Sequence, residues 1–203
     1  MKLFNLFVRL TKERHISHVF AIMSDYLFFE RVYSEAMLQG RTKYILIDDF
    51  DKNTAYKFLD KYSFSDKEKN LAWKYVAGKP GLLKELIKAK MLGKEVEELA
   101  KELLSNRKGE IKRTLRKLKE LEIKFEYEGD IHKIKYGDVI NALIPFKDKE
   151  SVDEDSIHEV IKAFLVKKNI LFDDPLNEII KPQSRLDLLA IREILKDIGF
   201  IQP

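Results

Sequence analysis

Cysteine is absent from the sequence, which rules out a disulfide framework and any thiolate metal site. Tryptophan occurs once and histidine four times. His15, His18, His132 and His158 are scattered, and only the first two are close in sequence, so they read as surface residues rather than metal ligands. No apolar run approaches the ~20 residues of a membrane span, and the N-terminus lacks the form of a cleaved signal. A cytoplasmic protein with no metal site and no membrane partner is expected.

Nucleotide chemistry is also missing its usual parts. A phosphate loop needs glycines that let backbone amides cradle phosphates, then a Lys and a hydroxyl for the γ-phosphate and Mg2+, but no GxxxxGK[ST] occurs. The nearest cluster, "AGKPGLL", has the wrong spacing and a central Pro. The stretch "ILIDDF" comes closest to a metal-holding strand ending in acids, yet it leads into a helical region instead of following a nucleotide loop. Asp48 and Asp49 within it either serve a site at a strand's carboxyl end or cap the next helix.

What the sequence does hold is charge of both signs and enough apolar residues for a core. Lys and Arg number 38 against 34 Asp and Glu, a net +4 that permits nucleic-acid contact without requiring it. With 45% hydrophobic and 11% aromatic residues the chain is globular, and its dense mixed charge suits a surface laced with ion pairs.

Periodicity organises the chain into helices with a few strands. Residues 2–14 are helical (Leu3, Leu6, Phe7, Leu10 on one face), followed by a buried strand at His18–Met23, an amphipathic helix at Tyr26–Leu38 stopped by Gly40, and a second strand at Tyr44–Ile47. Two unbroken apolar strands need further strands beside them, so this opening reads as the back end of an α/β unit. The exposed edge and uncovered apolar face that follow from this point to self-association.

After Asp51 helices take over. Asp51 or Asn53 caps the first, Ser65 with Glu68 forms a capping box for the second, and Pro80 opens a third with Leu82, Leu83, Leu86 and Ile87 inward. Helical patterns cover Val96–Leu104 and Ile111–Leu121, and the basic run Arg107–Lys119 reads as a solvated face or a nucleic-acid track. Residues 122–135 alternate like a hairpin around Gly129-Asp130 but also fit a loop. A short helix to Phe146, an amphipathic helix from Ser156 to Lys168, a hairpin turning at Pro175–Asn177 and a last helix at Leu186–Ile198 complete the order. Helix, helix and two-stranded hairpin follow in the sequence of a winged helix.

Three stretches carry a family resemblance: "HVFAIMSDYLFFERVYSEAMLQGRTKYILIDDFDKNTAYKFL", "YVAGKPGLLKELI" and "NILFDDPLNEIIKPQSRLDLLAIREIL". In this order they resemble the archaeal ATPase family, in the STAND branch of the AAA+ P-loop ATPases. The resemblance implies a mixed, mainly α fold: a truncated α/β P-loop ATPase remnant (residues 1–50), a helical lid with connecting helices (51–122) and a C-terminal winged-helix-like domain (123–203). It implies nucleotide-sensing roles for Ser24, Asp25 and Arg41, and an adenine-side lid turn at Gly78 and Pro80, with Ala77 where the family often has a second glycine. By residue chemistry alone, Ser24 and Asp25 equally cap the Tyr26 helix, and Arg41 equally pairs with a carboxylate.

On this resemblance Walker A and Walker B lie upstream, so the chain alone is not expected to hydrolyse ATP. ATP and Mg2+ are cofactors only when a missing N-terminal core or a homologous subunit completes the site. The function implied is the C-terminal part of a nucleotide-dependent switch. The alternative is a stand-alone winged-helix module for DNA or protein contacts, with Lys162, Lys167 and Lys168 on the recognition helix and Lys181 and Arg185 at the wing as DNA contacts. Asp153, Glu154, Asp155 and Glu159 at the leading end of that helix oppose phosphate binding.

Overall fold

The computed structural model describes residues 2–20, 43, 45–174 and 177–201, which fall into two units, residues 1–47 and 48–203. In the first, α1 (Lys2–Val8) runs into a π-helical turn at Arg9–Glu13. There Thr11 turns its hydroxyl back onto the Phe7 carbonyl at 2.8 Å, a bond that competes with the helix ladder and loosens a helix end.

The two expected strands do not form among the described residues. His18–Phe20 and Ile45–Ile47 have no regular structure, and Phe20, Ile45 and Ile47 are 82%, 62% and 83% exposed. An apolar run becomes a strand only when a neighbour accepts its backbone hydrogen bonds, and no described strand lies in this unit. Ala21–Met23, the Tyr26–Leu38 helix, Gly40 and Tyr44 lie outside the described residues.

The second unit begins with three short helices: α2 (Lys52–Asp60), α3 (Asp66–Val76) and α4 (Pro80–Met91). Asp51, not Asn53, caps α2, its carboxylate accepting from Thr54 N at 2.7 Å. The capping box of α3 is complete, and Glu68 also receives Lys90 Nζ at 2.6 Å, tying the start of α3 to the end of α4. Ala55, Leu59, Ala72, Val76, Leu83 and Leu86 form the core of this bundle.

Residues 96–120 make a single 25-residue helix, α5, where the sequence suggested two helical patterns. Its apolar stripe (Val96, Ala100, Leu104, then Ile111, Leu115, Leu118) skips one step because Arg107 and Lys108 occupy the inward face there. Both are satisfied by acids of the last helix: Arg107 by Asp187, and Lys108 by Glu193 at 2.9 Å and Asp197 at 3.0 Å. An apparent polar interruption is thus an ion-paired part of the interface. Because its two halves enter different hydrophobic clusters, α5 is the beam shared by the helical bundle and the C-terminal elements.

Beyond α5, β1 (Ile123–Tyr127) and β2 (Asp130–Ile134) pair antiparallel, so the 122–135 stretch is a hairpin. The Tyr127–Asp130 register leaves Glu128 and Gly129 as a two-residue loop with φ of 53° and 90°, the doubly left-handed geometry that favours glycine. Then come α6 (Tyr136–Leu143), β3 (Val152–Asp153), α7 (Glu159–Lys167), β4 (Leu171–Asp174), β5 (Ile179–Pro182) and α8 (Arg185–Asp197).

The three strands form an antiparallel sheet in the order β3-β5-β4. Two residues carry no alternation signal, which is why β3 escaped the sequence. Helix α7 starts at Glu159 rather than Ser156, because Glu154–Ser156 form a 3-10 turn and Ile157 is extended. The fold is mainly helical with small sheets.

Candidate functional site

The segment after Ile47 is held by lysines from two distant elements. Asp48 accepts from Lys181 of β5 at 2.9 Å, and Asp49 pairs with Lys79 at 3.7 Å, in the turn between α3 and α4. Neither caps α2, since Asp51 does. Burial works to raise the Asp48 carboxyl, but the hydrogen bonds from Lys181 and the Asp49 amide bring it below its ordinary range. Burial does raise the Asp49 carboxyl, with Lys79 offsetting part.

Lys79 also donates to the Gln183 carbonyl at 3.2 Å, a contact across 104 residues. One step further, the Ser184 hydroxyl accepts from Asp187 N at 3.2 Å as the cap of α8, while the Asp187 carboxylate receives Arg107 Nε at 2.5 Å. Burial pushes the Asp187 carboxyl up, against the pull of Arg107 and Ser184. Arg107 donates in addition to the Asn169 carbonyl at 2.6 Å. Lys79, Gln183, Arg107 and Asp187 are too far apart in sequence for local pattern to join them in one chain of contacts. The Ser-x-x-Asp spacing at Ser184 and Asp187 was the one local signal, and it announced only a helix start.

Gly78 and Pro80 flank Lys79. Ala77 ends α3 with φ of 48°, Phe50 N donates to the Gly78 carbonyl at 3.0 Å, and a Cβ on Gly78 would lie 1.7 Å from the Phe50 carbonyl oxygen. Glycine is therefore required here by backbone packing, and Pro80 sits in the first turn of α4, where its missing N–H is harmless. Ser24, Asp25 and Arg41 lie outside the described residues.

The proposed DNA-contact residues are dispersed. Lys162 is 2% exposed and engaged by Glu154 at 2.6 Å, Glu159 at 3.0 Å and Asp173 at 3.4 Å, so its ammonium faces carboxylates and cannot reach a phosphate in this arrangement. Lys181 and Arg185 are paired with Asp48 and Glu150. Lys167 and Lys168 are exposed, Lys168 lying over the Phe164 ring at 5.7 Å.

Asp173 is wholly buried on β4, and neither carboxylate oxygen accepts a hydrogen bond. Burial pushes its carboxyl up to about 6, with Lys162 opposing. Burial works to lower the Lys162 ammonium, but Glu154 and Glu159 hold it above its ordinary value. A carboxyl raised on folding stabilises below its unfolded pKa and loses that contribution as pH rises through the folded one. Asp173→Asn is therefore expected to gain on the order of 3 kcal/mol at pH 7.5, at 1.4 kcal/mol per pKa unit from 3.8 to about 6, with the gain gone near pH 4. Urea unfolding midpoints at both pH values check this, and a gain that persists in acid would refute it.

Two family models match successive stretches of the chain. Residues 1–86 match the family described as the ATPase domain predominantly from Archaea, and residues 97–195 match the C-terminal domain of uncharacterized MJ1010-like ATP-binding proteins. The chain belongs to the archaeal ATPase family. An uncharacterized ATP-binding protein of Methanocaldococcus jannaschii is 46% identical over 197 residues, covering 97% of this chain and 52% of the relative. One from Pyrococcus abyssi is 45% identical over 197 residues, covering 96% and 52%. The chain thus spans about half the length of the archaeal ATPase relatives it matches. A crystal structure of the C-terminal domain of a possible ATP-binding protein from Methanocaldococcus jannaschii is 36% identical, covers 49% of this chain and 97% of its own, and superposes with a TM-score of 0.47.

Lys79 is engaged by Asp49 and Gln183, Gly78 is closed against Phe50, and no three His, Asp or Glu side chains converge to hold Mg2+ among the described residues. No step of ATP chemistry follows from these groups. Among the described residues no helix is long and apolar enough to cross a membrane.

Proposed function

We propose that this chain supplies the sensor segment, the lid and a winged-helix-like end of a nucleotide-dependent switch of the AAA+ STAND type. Residues 1–50 act as part of the ATPase core, 51–122 as lid and connecting helices, and 123–203 as the output domain. The order α6, β3, α7, β4, β5 with the sheet order β3-β5-β4 supports the winged-helix reading. The partner is a polypeptide segment bearing a phosphate loop, which brings ATP and Mg2+, and the setting is the cytoplasm.

The observation that carries the reading is the double grip of Lys79. From the Gly-Lys-Pro turn of the lid it holds both Asp49, at the end of the ATPase-like stretch, and Gln183, just past β5. Nucleotide that shifts the lid must break or move this grip, and the hairpin moves with it. A ligand drives such a change only through contacts that differ between the two states. The DNA-binding alternative draws less support, because Lys162, Lys181 and Arg185 already have acidic partners.

The test mixes the chain with the phosphate-loop half of an archaeal ATPase relative and follows mant-ATP by fluorescence anisotropy. Saturable binding is expected in the mixture and not with the chain alone. In the mixture, ATP should change hydrogen-exchange protection over residues 179–183, and Lys79→Met should keep binding while abolishing that change. A well-folded phosphate-loop half that restores no binding, or a Lys79→Met mixture that still transmits the change, would overturn the reading.

A further inference from the structure

We propose that the groove between α5 and α8 is a docking site for an acidic amphipathic helix of a partner protein. The groove has a volume of about 550 Å³. One wall is basic, formed by Lys112, Arg113, Arg116 and Lys119 along α5. The remaining lining is apolar or aromatic, with Leu115, Ile194, Ile198 and the Tyr136 ring, and no Asp or Glu lines it.

The charge on that wall is mostly uncompensated. Lys112 is paired with Asp197 at 2.6 Å and Lys119 lies over the Tyr136 ring at 4.3 Å. Arg113 and Arg116 are exposed and make no hydrogen bond or ion pair among the described residues. They stand one turn apart on the same face, as residues three apart on a helix do. Basic groups that lie against acids, including Lys69, Lys79, Lys90, Arg107, Lys108, Lys162 and Lys181, are ion-paired, whereas Arg113 and Arg116 stand free beside an apolar floor.

The floor decides between classes of anionic partner. A nucleic-acid backbone needs cations and water along its path, and gains nothing from the apolar floor, where Ile198 is 37% exposed above the buried Leu115 and Ile194. Base stacking would need the Tyr136 face that Lys119 covers. An amphipathic helix supplies both halves of the match, carboxylates for the guanidinia and apolar side chains for the floor, in the helix-in-groove mode. From Gly109 to Lys119 the wall is about 15 Å long at 1.5 Å per residue, room for roughly three turns of a partner. None of these residues belongs to the Lys79 junction, so this proposal and the nucleotide switch fail independently.

The test uses the full chain and a fluorescein-labelled peptide of about 16 residues, with Leu at i, i+3, i+4 and i+7 and Glu at the exposed positions. A peptide of the same composition with leucines scattered around the helix is the control. The amphipathic peptide should bind at least tenfold more tightly than the scattered one, about 1.4 kcal/mol. Arg113→Glu with Arg116→Glu should weaken binding about tenfold or more, and Ile198→Ser should weaken it with the charges intact. The matched reversal Lys84→Glu with Lys88→Glu on α4 should change it less than about threefold, because long-range charge alone is screened by salt. Arg113→Gln with Arg116→Gln serves as the milder variant, with circular dichroism confirming the fold. No binding, equal binding of the two peptides, insensitivity to the Arg113 and Arg116 changes, or displacement by an oligothymidine strand at lower concentration than the peptide would each overturn the proposal.

Discussion

Lys162→Met is expected to destabilise the protein by about 2 kcal/mol at pH 7.5, because Asp173 loses its counter-charge and takes up a proton instead, at 1.4 kcal/mol per pKa unit between about 6 and 7.5. Lys162 is the cation that Glu154, Glu159 and Asp173 share. Glu154 and Glu159 keep side-chain exposures of 29% and 48% and regain water when the lysine goes. Asp173 is 0% exposed and cannot. Methionine replaces the aliphatic stem, so lost packing is a minor part of the effect.

The pH dependence separates charge from packing. Burial pushes the Asp173 carboxyl up to about 6 from the 3.8 of an unperturbed carboxyl, so its contribution to stability is full below 3.8 and disappears as pH rises through about 6. Without Lys162 the folded pKa rises further, and the loss grows through neutral pH. The deficit of Lys162→Met should therefore be large at pH 7.5 and shrink toward pH 4, where Asp173 is protonated in both proteins. Urea unfolding at the two pH values measures it. A deficit independent of pH would mean that packing, not the buried charge, dominates.

Gly78→Ala should destabilise by about 3 kcal/mol or more, since the obstacle is backbone and has no rotamer in which to retreat. The added Cβ would lie 1.7 Å from the Phe50 oxygen and 2.8 Å from its nitrogen, and moving Phe50 breaks its hydrogen bond to the Gly78 carbonyl. At 2–4 °C per kcal/mol for a chain of this size, the thermal midpoint should fall by roughly 6–12 °C. Gly81, three residues on, is the internal control. Nothing lies within 4 Å of its added Cβ, and it sits in the first turn of α4. Gly81→Ala should leave stability unchanged or raise it by up to about 1 kcal/mol, through reduced freedom of the unfolded chain. Calorimetry that finds the two alanines alike would remove the argument that Gly78 is fixed by its contact with Phe50.

These effects were unevenly legible in the sequence. Caps, turns and amphipathic faces depend on neighbours within a few residues, so the Ser65–Glu68 box, the Pro80 start of α4 and the last helix could be read directly, while residues 122–135 fitted a hairpin and a loop alike. The strands at His18 and Tyr44 could not be judged that way, because an apolar run states only that it would be buried if a sheet were beside it. Arg107 and Lys108 belong by sequence to a basic run that reads as a solvated face or a nucleic-acid track, but in the fold they face Asp187, Glu193 and Asp197. Lys162 looked like a phosphate contact on a basic helix end, when its ammonium is enclosed by three acids.

The sequence by itself determined the helix periods, their caps, the mainly helical class and the archaeal ATPase resemblance, all carried by local spacing or by ordered motifs. Only the tertiary structure decided which charges are free. It joins Lys79 to Gln183 across 104 residues, gives Lys162 to Asp173, and leaves Arg113 and Arg116 without acids. The physical reason is range: hydrogen bonding and side-chain crowding act between residues a turn apart, whereas a lysine's partner and its burial are set by whatever the folded chain brings within a few ångströms.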